Sequence, residues 1–482
     1  MLENHFKAIF TSSLRFEPTG EQLELIDMLT NFYLSDNVFS LFLLKGYAGT
    51  GKTTVISAFI KTLSQLQQSF VLLAPTGRAA KVLSQMSGFP AYTIHKQIYR
   101  QKNPGVDPDS LGAGSFSLDF NKSKDTVFIV DEASMITNKG DELNLFGSGD
   151  LLDELIKYVY EGARCRIIFI GDLAQLPPVG TILSPALDPG MLRGYGLDVL
   201  EFTLREVLRQ TSDSGILSMA TRIRKQLADK NFSSIPKFSV NGRDVISISG
   251  EYLSEQVSAS YDSVGVENVI IITRSNKRAN LFNQGIRSTV LYREEEIVTG
   301  DYLMVVKNSY HWTEKIKELD FIANGDMAEI VSIRGITDLY DQRFAEVTLR
   351  FPDYNNYELD VTINTGSIMH DGPSLSSSEM QELYFKILED YPDVKSKKET
   401  VKTMREDPFY NALQVKYGYA VTCHKSQGGQ WKHVYLDLGY ITDEMVDLEF
   451  LRWLYTAVTR ATDKLYLVNF PAAILEYTDD SV

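Results

Sequence analysis

Along this chain, apolar runs of strand length recur ahead of segments in which apolar residues return at helical spacing. Leu41 to Leu44 precedes the amphipathic stretch VISAFIKTL, the run VLLA ending at Ala74 precedes GRAAK, and Val269 to Thr273 precedes SNKRANLFNQGIR. Val127 to Val130 and Arg166 to Ile170 are two further apolar runs, and a helix is expected near Ser214 to Leu227. Strands alternating with helices predict an α/β fold in which parallel sheets are covered by helices. Upstream, FEPTGEQ leads into LELIDMLTNFYL, and Thr19 and Gln22 have the spacing of a helix capping box.

Two stretches break the alternation. Gln101 to Asp125 is rich in Gly, Pro, Ser and Asp and reads as an inserted hairpin or long loop. Its apolar members Phe116 and Phe120 either stack on bases or anchor the loop to the body. From Gly300 the runs DYLMVVKN, MAEIVSI, FAEVTLRF and YELDVTI predict a small inserted barrel, followed by charged helical text from Ser376 to Arg405. The expected domains are a first lobe over 1–97 and 126–200, a hairpin over 98–125, a second lobe over 201–299 and 406–482, and a barrel with a helical extension over 300–405.

Composition adds limits. At 482 residues, about three to four structural units are expected. Cys165 and Cys423 lie far apart and match no metal-ligand spacing, which points to a reducing, cytoplasmic setting. There is no signal peptide and no apolar run near the roughly 18 residues that cross a bilayer, so a soluble chain without a membrane partner is expected. The net charge of −15 weighs against a polyanionic partner. Its distribution softens that, because Gly300 to Arg405 holds 19 acidic against 12 basic residues and leaves room for a basic channel elsewhere.

The candidate chemistry starts at Gly46-Tyr47-Ala48-Gly49-Thr50-Gly51-Lys52-Thr53, a glycine, four residues, then Gly-Lys-Thr. A strand feeding such a loop, with a helix opening near Lys52, turns backbone amides toward phosphate. Lys52 then reaches the outer phosphates and Thr53 holds magnesium. The run Val127 to Val130 ends in Asp131-Glu132-Ala133-Ser134, where Asp131 suits magnesium and Glu132 suits the attacking water. The pair favours hydrolysis of a nucleoside triphosphate over binding alone. Gln175, in GDLAQLPPVG, is placed to sense a γ-phosphate. Thr76 and Arg78 in APTGRAAK, and Thr93 and His95 beyond it, suit a sugar-phosphate backbone or are simply a surface turn and a structural histidine.

GYAGTGKT, APTGRAAK, DEAS, GDLAQLPPVG, TLREVLRQ, VTCHKSQGGQ and YTAVTRA, in this order from about Phe16 to Ala461, resemble the motifs of superfamily 1 helicases. The branch it most resembles is the 5′-to-3′ one with the RecD-like and Dda-like DNA helicases. The resemblance implies two RecA-like P-loop lobes, a small hairpin insert in the first and an SH3-like β-barrel insert in the second. It implies ATP with Mg2+ between the lobes and single-stranded DNA across them. By matching position, Gln22 reads adenine; Gly46, Tyr47, Ala48, Gly49, Thr50, Gly51, Lys52, Thr53 and Thr54 form the nucleotide loop; and Lys52, Asp131, Glu132, Gln175, Arg209 and Arg460 serve hydrolysis. The two arginines would reach the γ-phosphate from the second lobe. Thr76, Arg78, Thr93, His95, Thr422 and His424 would hold the DNA backbone, and Phe116 would be the wedge of a strand-separating pin. The segment Asn138 to Asp150 looks longer than the family's usual link.

The activity so implied is ATP-driven movement on single-stranded DNA and unwinding at single-strand/duplex junctions. The chain would act as a monomer, with single-strand-binding or repair proteins as partners in DNA repair and recombination. An RNA helicase of the same superfamily, or a non-unwinding motor subunit of a repair or nuclease assembly, are the alternatives.

Overall fold

The computed structural model describes residues 2–14, 16–101, 116–138, 149–206, 214–313, 316, 321–392, 394 and 396–477. Two compact units divide the chain: Met1–Arg100 with Phe116–Phe232 and Asp447–Thr456, and Gln101–Ser115 with Ser233–Val446 and Ala457–Val482.

The first unit is built on a six-stranded sheet in the order Ala91–Thr93, Phe70–Ala74, Val127–Val130, Arg166–Gly171, Ser40–Gly46, Asp198–Leu204. Every pairing in it is parallel. Successive strand residues point to opposite faces, and both faces are covered, which is why the strands read as unbroken apolar runs. Leu41, Leu43, Phe128, Val130, Ile167 and Phe169 enter one core, with Leu152 and Leu155 of the helix Leu151–Glu161. Phe42, Leu44, Val127, Ile129, Ile168 and Ile170 enter the other, with Leu25 and Leu29 of Gly20–Leu34 and Val55 and Phe59 of Lys52–Gln65. Each fully buried Leu or Phe contributes roughly 1.5–3 kcal/mol, enough to hold the strand ends in fixed register. In chain order between Ala91–Thr93 and Val127–Val130, Tyr99–Gln101 pairs with Phe116–Leu118 as a separate two-stranded sheet. Residues 102–115 of the expected hairpin, and 139–148 of the long link, lie outside the described residues.

The second unit carries a five-stranded sheet in the order Val245–Ile248, Ala461–Val468, Trp431–Asp437, Val269–Thr273, Ala420–Thr422, again wholly parallel. Its second element is a closed barrel of Tyr302–Val305, Met327–Leu339, Gln342–Phe351, Tyr357–Asn364 and Leu413–Tyr417. The last of these strands follows the helices Ser377–Glu389 and Lys397–Glu406, beyond the 300–405 span in which the insert is expected. The fold class read from the sequence, α/β with two parallel sheets, a small hairpin sheet and a barrel in the second half, is the one observed. Among the described residues no helix is long and apolar enough to cross a membrane.

Where the barrel begins, a buried carboxylate gathers the chain. Asp301, 0% exposed, accepts bonds from Arg287 Nε at 3.0 Å and Nη2 at 2.9 Å, from Arg293 Nη1 at 2.9 Å and from the Val298 amide at 2.8 Å, and lies 3.0 Å from the Tyr419 hydroxyl. Removing a buried carboxylate leaves two guanidiniums without their counter-charge. Asp301→Ala should therefore cost about 3–5 kcal/mol, read as a lowered midpoint of chemical denaturation in the second unit. An unchanged midpoint would show that the cluster is not structural.

Candidate nucleotide and nucleic-acid sites

The strand Ser40–Gly46 ends at Gly46 and the helix Lys52–Gln65 starts six residues on, so the intervening loop must turn sharply. Gly51, the helix N-cap, has φ +82° with no side-chain cap, a left-handed conformation that favours glycine. At Gly46 a Cβ would fall 2.9 Å from Lys52 Cδ, so the close return of that side chain needs glycine. Thr50, 1% exposed, donates its hydroxyl to the Tyr47 carbonyl at 2.8 Å and pins the loop. Lys52 Nζ donates to the carbonyls of Gly46 at 2.7 Å and Tyr47 at 2.9 Å. The uncapped first-turn amides of the helix and the Lys52 ammonium converge on one loop, the arrangement that receives phosphate. Thr53 is half-buried and Thr54 exposed.

Neighbouring strands bring the acids and Gln175 to the same edge of the sheet. Val127–Val130 delivers Asp131 and Glu132, and Arg166–Gly171, between it and the P-loop strand, delivers Asp172 and Gln175. Burial holds the Asp131 carboxyl above the ordinary carboxylate range, opposed by a bond from the Glu132 amide, 2.9 Å to Oδ1, and by the Lys52 charge. Glu132 has φ +52°, a left-handed strain of about 1–3 kcal/mol for a non-glycine residue at the end of a functional strand. Gln175 is 8% exposed and its Oε1 is buried without a hydrogen-bond partner.

Gln22 closes the helix capping box and leaves its amide nitrogen open to the second reading, a contact with adenine. Its Oε1 accepts from the Thr19 amide at 3.1 Å in a complete capping box, while its Nε2 is buried with no partner. An orphaned buried polar group costs about 1–3 kcal/mol unless a ligand satisfies it. The Gln22 amide donor therefore suits an acceptor nitrogen on an adenine-like edge, and the Gln175 acceptor suits a donor such as the attacking water. For magnesium, Thr53 and Asp131 supply one hydroxyl and one carboxylate, and among the described residues no cluster of three His, Cys, Asp or Glu side chains stands ready for a metal.

The candidate backbone-binding residues sit at the carboxyl ends of other strands. Ala74 and Thr93 are in register on adjacent strands. Just beyond, Thr76 caps the helix Gly77–Ser87 by accepting from the Ala79 amide at 3.2 Å, and Thr93 caps Ile94–Ile98 through the Lys96 amide at 3.2 Å. Arg78 is half-buried. Burial pushes the His95 imidazole down to about 4, so it is neutral at pH 7 and any bond it gives to phosphate comes from a neutral ring. In the second unit, Thr422 ends the strand Ala420–Thr422 and His424 opens a short helical turn to Ser426. Arg460, 4% exposed, donates to the Gly429 carbonyl and the Thr459 hydroxyl, both at 3.2 Å. Arg209 lies outside the described residues, and of Phe116 only the backbone, at the start of its strand, is described. Phe120 is 59% exposed, so it does not anchor the hairpin to a core.

Sequence reasoning passed over Tyr455 and Asp172, although both lie inside the motifs it used. Tyr455 is 1% exposed and its hydroxyl bridges the Ala48 amide, at 2.8 Å, and Asp172 Oδ2, at 2.7 Å.

Residues 26–237 match the family described as an AAA domain, and residues 417–468 match the UvrD-like helicase C-terminal domain. An uncharacterised protein of Acanthamoeba polyphaga mimivirus is 24% identical over 518 residues, covering 93% of this chain and 98% of that protein. The ATP-dependent RecD2 DNA helicase of Deinococcus radiodurans is 24% identical, covering 94% of this chain and 49% of that helicase. The ATP-dependent DNA helicase dda of Enterobacteria phage T4 is 27% identical, covering 60% and 62%. The chain thus spans about half of the RecD2 helicase and under two thirds of Dda. Among solved structures, Pif1 helicase from Bacteroides in complex with ADP-AlF3 and ssDNA covers 94% of this chain and 93% of its own, with 15% identity and a TM-score of 0.41, too slight a likeness to bear on either fold or function. The two domain matches and the curated relatives make this chain similar to the superfamily 1B helicases, in the branch that holds RecD2 and Dda.

Proposed function

We propose that the chain is an ATP-driven motor that moves 5′ to 3′ on single-stranded DNA and unwinds the duplex ahead of it. The observation that carries this reading is the layout of one sheet edge. Three adjacent strands present Asp131 and Glu132, Gln175, and the P-loop, and the two strands beside them lead to Thr76, Arg78, Thr93 and His95. A nucleotide-dependent shift at one half of that edge has a rigid sheet through which to reach a nucleic-acid contact at the other.

In hydrolysis, Lys52 and the amides of the loop hold the β- and γ-phosphates, and Gln22 holds adenine through its Nε2. Thr53 and Asp131 would hold magnesium, which would supply positive charge to the phosphates. Glu132 orients the attacking water and accepts its proton, with Gln175 fixing that water or the γ-phosphate. Arg209 and Arg460 stabilise charge developing on the transferred group, as guanidiniums do in phosphoryl transfer. Hydroxyl and neutral-imidazole contacts to a sugar-phosphate backbone carry no base information, which suits a motor that crosses any sequence. Single-stranded DNA should raise the rate of ATP hydrolysis severalfold or more, and an equal length of RNA should not. Equal stimulation by RNA would move the assignment to an RNA helicase, and none by either would remove the motor reading.

Phe116 is the proposed wedge of the hairpin. Phe116→Ala should lower duplex unwinding while sparing DNA-stimulated hydrolysis, measured side by side, and equal loss of both would refute the role.

A further inference from the structure

The crown of the P-loop is held by side chains from far along the same unit. The Arg224 guanidinium lies 4.4 Å over the Tyr47 ring, the Tyr455 hydroxyl accepts from the Ala48 amide at 2.8 Å, and a Cβ on Gly49 would fall 2.8 Å from Leu217 Cδ1. Tyr455 and Thr456, consecutive on the helix Leu448–Val458, also take hold of the segment Asp172 to Leu176 from both ends. Tyr455 donates to Asp172 Oδ2 at 2.7 Å, and Thr456 Oγ1, 0% exposed, accepts from the Leu176 amide at 2.9 Å. Asp172, 2% exposed, takes the Ala174 amide on its other oxygen at 2.9 Å. Between these anchors lies Gln175, whose buried Oε1 has no partner.

We infer that Tyr455 is a positioning residue for hydrolysis, its hydroxyl tying the P-loop crown to the segment that aims Gln175. The inference rests on the ATP-hydrolysing reading above and names a residue that reading does not use. One hydroxyl engages both groups because it has a proton to give and lone pairs to receive. Burial and the adjacent Asp172 carboxylate raise the phenol well above its ordinary pKa, so the proton stays in place throughout the working range of pH. A phosphate-binding loop and a water-orienting amide on separate strands would otherwise be joined only through the sheet, and a misplacement near 1 Å can cost about 100-fold in rate.

Tyr455→Phe keeps the ring and deletes both bonds. The expected result is a fall in kcat for DNA-stimulated ATP hydrolysis of about 10-fold to 100-fold, with KM for ATP within about threefold, because the tyrosine does not touch the phosphates. Asp172→Asn, a near-isosteric second variant, should fall similarly, and the double variant should be no slower than the slower single one, since the three groups act as a unit. A kcat unchanged within about twofold in both single variants would overturn the inference. So would multiplicative losses in the double variant, or losses in kcat and KM that follow a lowered melting temperature. If the unaltered chain hydrolyses no ATP, or does so without needing Lys52, the proposed function fails instead, and the two failures are told apart in one experiment.

Discussion

Lys52→Ala should lower ATP hydrolysis on the order of 10²–10³-fold or more, with or without DNA, and abolish unwinding. The ammonium sits over its own loop, on the carbonyls of Gly46 at 2.7 Å and Tyr47 at 2.9 Å, and it acts on Asp131 electrostatically. It is thus the one cation that both the loop and the acidic strand end share within the first unit's described site. Alanine removes that charge and the ammonium's bonds to the Gly46 and Tyr47 carbonyls, the second of which keeps the Thr50 hydroxyl as a donor. Because Lys52 also contributes to ground-state binding, KM for ATP should rise together with the fall in kcat. Steady-state hydrolysis with and without single-stranded DNA reads both, and a variant with near-normal turnover would remove the P-loop from the mechanism.

Glu132→Gln should behave differently. Glutamine keeps the size of the side chain and can keep the left-handed backbone, φ +52°, at residue 132. What it loses is the capacity to accept a proton, worth on the order of 10²–10⁴-fold in rate. Binding of ATP should be retained, so the variant should hold nucleotide and remain on DNA with little turnover. A filter-binding measurement with labelled ATP, beside steady-state hydrolysis, separates this outcome from simple unfolding. Normal turnover would reassign the general base, and loss of binding would mean that Glu132 is structural.

The parts of the fold and site that were legible in the sequence are those written in local text. Leu41 to Leu44 is apolar without interruption because both faces of its sheet are covered, and the turn chemistry of Gly46 to Thr53 follows at once. Asp131 and Glu132 were legible for the same reason, since they end an apolar strand. Gln22 was half legible: its spacing to Thr19 announced the capping box, but that its amide nitrogen would remain buried without a partner depends on packing. The pairing of Leu413–Tyr417 with both Tyr302–Val305 and Tyr357–Asn364 was not, because barrel closure joins strands across long sequence separations that no local pattern encodes. Asp301 with Arg287 and Arg293 was missed as one ordinary acid among many in an acidic stretch; only burial makes it a node. Tyr455 was hidden in a motif that drew attention to Arg460, and its role as a bridge depends on Ala48 and Asp172, hundreds of residues away in sequence.

The most direct test of the account uses two duplexes that differ only in which strand carries a single-stranded tail, mixed with the protein, ATP and magnesium. The account predicts displacement of the strand from the 5′-tailed duplex and little from the 3′-tailed one, with no displacement by Lys52→Ala on either. Displacement confined to the 3′-tailed duplex would contradict the assigned direction, and displacement of neither, with ATP hydrolysis intact, would contradict the unwinding itself.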